Sequence, residues 1–356
     1  MKNIKALQIT ALKSFTDAKI SLGQLTVLSG LNGSGKSTFI QAIRMLLSAV
    51  DNKTPFLKGF GDYEELKSKN ALRSQDIRIE VFTDDAQHAL SIGKESYEVI
   101  DKSLDIKFDY ICAARLGPST SLPVMDHGEK KITVGSMGEY LVDYFTLFSD
   151  ISINADMLHS SSSSTTLEIQ LNSWMSEISP GVKLLFSKVD KHDMSHVEID
   201  TYRSTNTGFG ISYALPIVMS LLVLSSTAVK DKLTNEFADD WITSHGEQAP
   251  LLIIENPEAH LHPRGQTAIG ELVAKAAAAG VQIIIETHSD HFIDGIRIAV
   301  KENKIDKKNV LLKFFEKTKE GSSFVTDIVL SDDGSIEDWP EGYFDQMFTN
   351  LKRLSS

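Results

Sequence analysis

Eight consecutive residues, Gly30-Leu31-Asn32-Gly33-Ser34-Gly35-Lys36-Ser37, constrain this chain more than any other stretch. They fit G-x-x-x-x-G-K-[ST], the pattern of a phosphate-binding P-loop. The glycines let the backbone bend so that successive N–H groups converge on a polyphosphate, where a Cβ would obstruct the approach. In that reading Asn32, Gly33, Ser34, Gly35, Lys36, Ser37 and Thr38 form a nucleotide-binding set. Lys36 reaches the β- and γ-phosphates, and the Ser37 hydroxyl completes a Mg²⁺ shell otherwise made of water and phosphate oxygen. The flanks agree: Leu25, Val27 and Leu28 read as a short buried strand, and residues 38–47 carry apolar side chains at helical spacing. The loop therefore joins a strand end to a helix N-terminus, whose dipole also favours anions. The expected ligand carries a triphosphate.

A chain of 356 residues can bury one large core or two lobes. The formal net charge of -12 argues against a general polyanion-binding surface. Lys58, Lys67, Lys69 and Arg73 lie close in sequence, but Glu64 and Glu65 sit among them, which reads as a solvated mixed-charge surface. A nucleic-acid partner stays an open alternative on that surface. The single cysteine, Cys112, excludes an internal disulfide framework and fits a reducing cytoplasm. Met1-Lys2-Asn3-Ile4-Lys5 leads directly into an alternating stretch, with no secretory h-region. The longest apolar run, residues 214–224, contains Pro216 and Ser220 and is too short to span a bilayer, so a buried helix and no membrane partner are expected.

Residues 4–29 read as short strands with turns at Ser14 and Gly23, and a Gly- and Lys-rich loop follows the P-loop helix over 51–69. Asp76-Ile77-Arg78-Ile79-Glu80-Val81-Phe82 alternates strictly, as a half-exposed antiparallel strand does. Residues 89–92, 97–100 and 106–113 continue in the same style and are expected in the same antiparallel layer. From 125 to 180 the chain turns helical, with Leu167, Leu171, Trp174 and Ile178 on one face and a solvated serine-rich loop before them. Residues 182–189 and 197–202 read as a hairpin. The apolar runs 251–254 and 281–285 read as central parallel strands. The helix between them opens at Pro263 and ends before Gly280. The expected fold is α/β, of P-loop NTPase type: a mixed central sheet, an antiparallel β subdomain and a helical lobe. Its expected divisions are residues 1–124, 125–205 and 206–356.

The first of those parallel strands runs into Glu255-Asn256-Pro257-Glu258-Ala259-His260-Leu261-His262-Pro263. A carboxylate directly after a buried strand is where a P-loop NTPase holds Mg²⁺, so Glu255 joins Ser37 as a candidate metal ligand. The next position, Asn256, holds an amide that cannot act as a base. Glu258 is then either the general base or a first-turn helix carboxylate, and the sequence leaves both open. The second strand ends in Glu286-Thr287-His288-Ser289-Asp290-His291, which places His288 to read a γ-phosphate. Gly208, Gly210 and Ser212, in Asn206-Thr207-Gly208-Phe209-Gly210-Ile211-Ser212, precede a long helix expected from Tyr213. Small residues there suit an anion.

Taken in order, these pieces resemble an ABC/SMC-like AAA-type ATPase of the RecF and overcoming-lysogenization (OLD) kind. Within it, the chain is similar to bacterial members ending in a small domain of unknown function. Ala114-Arg115-Leu116-Gly117-Pro118 and the tail Gly334-Ser335-Ile336-Glu337-Asp338-Trp339-Pro340-Glu341-Gly342-Tyr343-Phe344-Asp345-Gln346 belong to the same resemblance. Asn256 after Glu255 is usual in that subgroup. Tyr213 departs from it, since relatives often carry Gln there, and Gln75 is only a candidate for the Q-loop glutamine. The resemblance implies ATP and Mg²⁺ as ligands and an ATP-sandwich homodimer, with the 208–212 loop of one head on the γ-phosphate held by the other. It further implies a role in anti-phage defence or DNA maintenance. A nuclease domain like that of OLD relatives does not fit between His291 and Ser356, so a toxin or nuclease effector is expected on a separate chain.

Two rival readings remain at this level. Glu258, His260, His262, His288, Asp290 and His291 are residue types that bind Zn²⁺ or Mn²⁺, as a metal-dependent nuclease would need. Alternatively, the chain is an ATP-loaded scaffold or switch with little turnover, which Asn256 favours.

Overall fold

A computed structural model describes residues 3–125, 132–189, 194–206, 208–226, 233–244, 249–337 and 339–355. The chain forms two compact units, the first made of Met1–Asp105, Lys308–Ser331 and Ile336–Ser356 and the second of Ile106–Lys307 and Asp332–Ser335. Elements are numbered in chain order.

In the first unit, β1 (Ala6–Leu12), β2 (Phe15–Ser21), β4 (Ile77–Phe82), β5 (Gln87–Ile92) and β6 (Tyr97–Ile100) form an antiparallel sheet in the order β2-β1-β4-β5-β6. Ile77, Ile79 and Val81 of β4 are fully buried as anticipated, but Glu80 between them is buried too, its carboxylate accepting from Arg78 and Gln87. Ile79 sits opposite Ile9 of β1 and Leu90 of β5, so one apolar face runs across three strands. Strand β3 (Leu25–Gly30) is buried until its last residue and runs parallel to β14 (Val310–Lys317), which pairs antiparallel with β15 (Ser323–Ile328). Helix α1 (Lys36–Val50) follows β3 and buries Phe39, Ile40, Ile43, Met45 and Leu46. The loop 51–69 contains a short helix, α2 (Tyr63–Leu66), capped by the Asp62 carboxylate accepting from Glu64 N and Glu65 N. The tail is fastened by the buried Tyr343, whose ring meets Phe314 of β14 edge-on at 5.5 Å. Its last helix is α9 (Gln346–Leu354).

In the second unit, β7 (Phe108–Ile111), β12 (Leu251–Glu255) and β13 (Gln282–Glu286) lie parallel with β12 in the middle. Every residue of β13 is buried, as are four of five in β12, so the near-continuous apolar runs have the environment a parallel layer gives them. Placement of β7 corrects an expectation: it belongs here, parallel to β12, and not to the antiparallel layer of the preceding strands. Its alternating look comes from Asp109, which is buried and accepts a hydrogen bond from the Thr133 hydroxyl. A buried carboxylate that holds a hydrogen bond inside mimics an outward-facing polar residue in the sequence.

A hairpin of β9 (Leu184–Val189) and β10 (Met194–Ile199) stands where expected; β10 also pairs with β11 (Tyr202–Arg203) and β8 (Leu122–Pro123). The hairpin's turn, 190–193, lies outside the described residues. Helices α3 (Leu141–Leu147) and α6 (Glu236–Ser244) flank the region, and α4 (Leu167–Ile178) buries the face of Leu167, Leu171, Trp174 and Ile178. Helix α5 (Phe209–Ser225) is buried from Ala214 onward despite Pro216, which leaves the Ser212 carbonyl without its helical amide partner. It starts at Phe209 and not Tyr213, so Gly210, Ile211 and Ser212 lie in its first turn. Helix α7 (Pro263–Ala278) has Pro at its start and His262 as its cap, and α8 (Asp290–Lys301) is capped by the Ser289 hydroxyl accepting from Phe292 N. Among the described residues no helix is long and apolar enough to cross a membrane.

Candidate nucleotide site

The P-loop candidates lie together in the first unit, between β3 and α1. Gly30 and Gly33 are required for different reasons. At Gly30, φ is +133° and an added Cβ would stand 2.2 Å from the Phe315 carbonyl oxygen of β14. At Gly33, φ is +76° with nothing within 4 Å of an added Cβ, so left-handed backbone alone selects glycine. Gly35 combines both: φ is +115°, and an added Cβ would meet Ser323 Oγ at 2.5 Å and the Phe15 ring at 3.1 Å. Ser323 also braces the loop from β15, its hydroxyl donating to the Ser34 carbonyl at 2.6 Å.

Lys36 is only 3% exposed, and its ammonium donates to the carbonyls of Gly30 at 2.8 Å and Leu31 at 3.1 Å. The Ser34 hydroxyl is buried and has no hydrogen-bond partner among the described residues. Asn32, Gly33 and Ser37 face solvent, and Thr38 is half-buried. A buried ammonium, an unpaired buried hydroxyl and a left-handed glycine loop opening a helix suit a polyanion. The residues present therefore fit a nucleotide phosphate.

The other candidates meet in the second unit. Glu255 ends β12, and both its oxygens are engaged by neutral donors: Tyr110 Oη to Oε1 at 3.0 Å and Ala113 N to Oε2 at 3.1 Å. Asn256 has φ +47°, donates its amide to the Glu286 carbonyl at 2.8 Å, and thereby ties the end of β12 to that of β13. Glu258 reaches the same place, accepting from the Thr287 hydroxyl at 2.9 Å and from His288 N at 2.8 Å. The exposed His288 ring has its Nε2 4.0 Å from a Glu286 oxygen, beyond hydrogen-bond range. Gly208 caps α5, and an added Cβ at Gly210 would stand 2.7 Å from the His260 carbonyl oxygen, so the 208–212 turn packs against the turn bearing Glu258. Ser212 is half-buried. Thr207, and Asp338 in the tail, lie outside the described residues.

Three participants have no role in the reading of motifs, although Arg115 lies within the quoted Ala114–Pro118 piece. Tyr110 and Ala113 contact Glu255 from 145 and 142 residues away, and no spacing rule links them. Arg115 is 3% exposed and donates to the carbonyls of Glu255 at 2.7 Å, Asn256 at 2.6 Å and Cys112 at 3.0 Å. Burial pulls its pKa below the ordinary guanidinium value, opposed by the charges of Cys112, Glu258, Tyr213 and Glu255. The same burial pushes the Cys112 thiol up.

The rival metal cluster does not assemble. Among the described residues no three His, Cys, Asp or Glu side chains are grouped to hold a metal ion. His262 caps α7 by accepting from Arg264 N, the His260 ring meets Tyr213, and both Glu258 oxygens are taken by Thr287 and His288.

Known proteins agree with this picture at the level of class. An AAA ATPase domain model matches residues 1–155. A model described as "AAA domain, putative AbiEii toxin, Type IV TA system" matches 179–294, and one for a protein of unknown function (DUF3696) matches 305–354. No curated protein matches the chain. Among solved structures, an Smc head domain with a coiled coil and joint from Pyrococcus yayanosii is 10% identical with a TM-score of 0.53, covering 100% of both chains. An Smc head with an extended coiled coil, bound to the C-terminal domain of ScpA, from Pyrococcus furiosus is 11% identical with a TM-score of 0.52 over 100% of both. An SmcHead bound to the C-winged helix domain of ScpA is 14% identical with a TM-score of 0.52, covering 92% of this chain and 98% of that one. At such identity the likeness shows the fold: an α/β ATPase head with a mixed sheet and an antiparallel sheet. The domain models that match are of AAA ATPase type, and the fold is similar to that of Smc heads. The DUF3696 segment follows the residues that those ATPase models match.

Proposed function

We propose that the chain binds ATP with Mg²⁺ through its P-loop and hydrolyses it in a head-to-head homodimer. The observation that carries the reading is the buried Lys36 ammonium beside the unpaired Ser34 hydroxyl in a left-handed glycine loop. Asn32 through Thr38 hold the phosphates, with Lys36 as the point charge. Ser37 and Glu255 supply the protein oxygens to Mg²⁺, which when bound neutralises phosphate charge. Glu258 accepts the proton of the attacking water, His288 reads the γ-phosphate, and Asn256 stays a bystander to proton transfer. Gly208, Gly210 and Ser212 present the α5 N-terminus to the nucleotide of a second copy.

The wider role in this proposal is a regulatory, cytoplasmic ATPase of an anti-phage or DNA-maintenance system, acting on an effector carried by another chain. The toxin–antitoxin wording of the model matching 179–294 and the ScpA-bound state of two Smc heads support a partner of that sort. A second reading, an ATP-loaded switch with little turnover, is favoured by one observation: both Glu258 oxygens already accept hydrogen bonds. Phosphate release by the purified chain under excess ATP-Mg²⁺ tests the two. Sustained release supports the ATPase, whereas tight ATP binding without release supports the switch.

A further inference from the structure

The first turn of α5 and the turn 255–261 are joined by a chain of contacts that the nucleotide roles above do not use. An added Cβ on Gly210 would stand 2.7 Å from the His260 carbonyl oxygen and 3.2 Å from Leu261 Cδ2, so the two backbones touch. One residue beyond Ser212, Tyr213 meets the His260 ring edge-on at 4.6 Å. On the Tyr213 face lies the Arg115 guanidinium, 5.0 Å from the ring centre. The guanidinium then forks to the carbonyls of Glu255 and Asn256 at 2.7 and 2.6 Å.

The turn so held is not at ease by itself. Asn256 and His260 have φ of +47° and +62°, backbone that side chains with a Cβ adopt only where their surroundings over-determine it. Asn256 N donates to Glu286, and Glu258 spans to Thr287 and His288, so one side of the turn is tied to β13. The other side is held by the Arg115 fork and by the Gly210 and Tyr213 contacts with His260. A lysine cannot replace Arg115, because an ammonium is a point donor and neither forks to two successive carbonyls nor stacks flat on a ring.

We propose that Arg115 and Tyr213 are positioning residues that lock the carboxylate turn 255–261 to the first turn of α5, making the geometry of Glu255 and Glu258 depend on what that helix end contacts. The consequence for turnover rests on the ATPase reading; the mechanical coupling does not.

The test uses the full chain and four variants: Arg115→Lys, Tyr213→Leu, Tyr213→Phe and the double Arg115→Lys/Tyr213→Leu. Amide hydrogen exchange over 256–261, measured without nucleotide, is expected to rise about tenfold in Arg115→Lys and in Tyr213→Leu. Tyr213→Phe, which keeps the ring, restores parental exchange. The double variant exchanges no faster than the worse single, as expected of two links in one chain. With ATP-Mg²⁺, kcat falls about tenfold in the same two single variants while ATP affinity by calorimetry stays within about twofold. Unchanged exchange, independent effects that multiply in the double, or Tyr213→Phe as damaging as Tyr213→Leu would each overturn the proposal. Should Arg115→Lys not fold, the Leu-against-Phe contrast at Tyr213 decides alone. A parent that releases no phosphate removes the ATPase reading and leaves the exchange arm to decide the coupling.

Discussion

Replacing Glu258 by Gln separates its structural from its chemical work. The carboxylate accepts one bond from the Thr287 hydroxyl at 2.9 Å and one from His288 N at 2.8 Å. His288 N–H can only donate, so the Gln carbonyl oxygen must take it, leaving the amide NH₂ facing Thr287. The Thr hydroxyl, which already accepts from Ser289 N, then accepts from the amide as well, and its own O–H loses the Glu258 oxygen as acceptor. Two charge-assisted bonds, worth about 1.5–3 kcal/mol each, become neutral ones worth about 0.5–1.5 kcal/mol. Because Glu258 is half-buried, the net destabilisation should be about 1–2 kcal/mol, read as a lower urea midpoint at unchanged m-value. Loss of a general base costs about 10²–10⁴ in turnover, far more than this loosening explains. ATP binding survives, and ATP accumulates on the protein. Hydrolysis at the parental rate would refute the base assignment and leave Glu258 as a clamp on the His288 loop.

Three further outcomes follow from the same geometry. Gly30→Ala combines a φ of +133° with a Cβ 2.2 Å from Phe315 O and should cost about 3–5 kcal/mol, whereas Gly33→Ala, in open space, costs about 1–2 kcal/mol; equal urea midpoints would contradict the distinction. Gly208→Asp has nothing within 4 Å of its new Cβ, so it should fold normally, bind ATP and lose turnover, and mixing it with Lys36→Ala should restore up to one composite site per heterodimer. Absence of recovery on mixing, with an ATP-bound monomer by light scattering, speaks against a shared site. Burial raises the Cys112 thiol pKa, so less thiolate exists at pH 7.5 than in free cysteine; alkylation followed by mass should be slower than for a model thiol, and faster labelling would contradict the placement.

Motif and periodicity made much of this legible. The P-loop and the strands and helices on either side of it are local features, as are the wholly apolar β12 and β13 and the Pro263 helix start. Where the sequence misled, a polar residue was buried or a small one was helical. Asp109 gave β7 a surface-strand rhythm although it is buried and bonded to Thr133 inside. Phe209 to Ser212 looked like a loop because Gly210 is a poor helix former, yet only glycine fits against the His260 carbonyl. The support around Glu255 was out of reach for another reason. Tyr110, Ala113 and Arg115 arrive from 140 or more residues away, and it is the parallel pairing of β7 with β12 that brings them in.

The central claim is that this chain turns over ATP at its P-loop. The most direct test is steady-state phosphate release by the parent and by Lys36→Ala at saturating ATP-Mg²⁺, with ATP binding followed by calorimetry. Lys36 holds the ammonium that the Gly30 and Leu31 carbonyls orient, so its loss should weaken ATP binding severely and bring release to background. Parental affinity and parental release in Lys36→Ala would contradict the account.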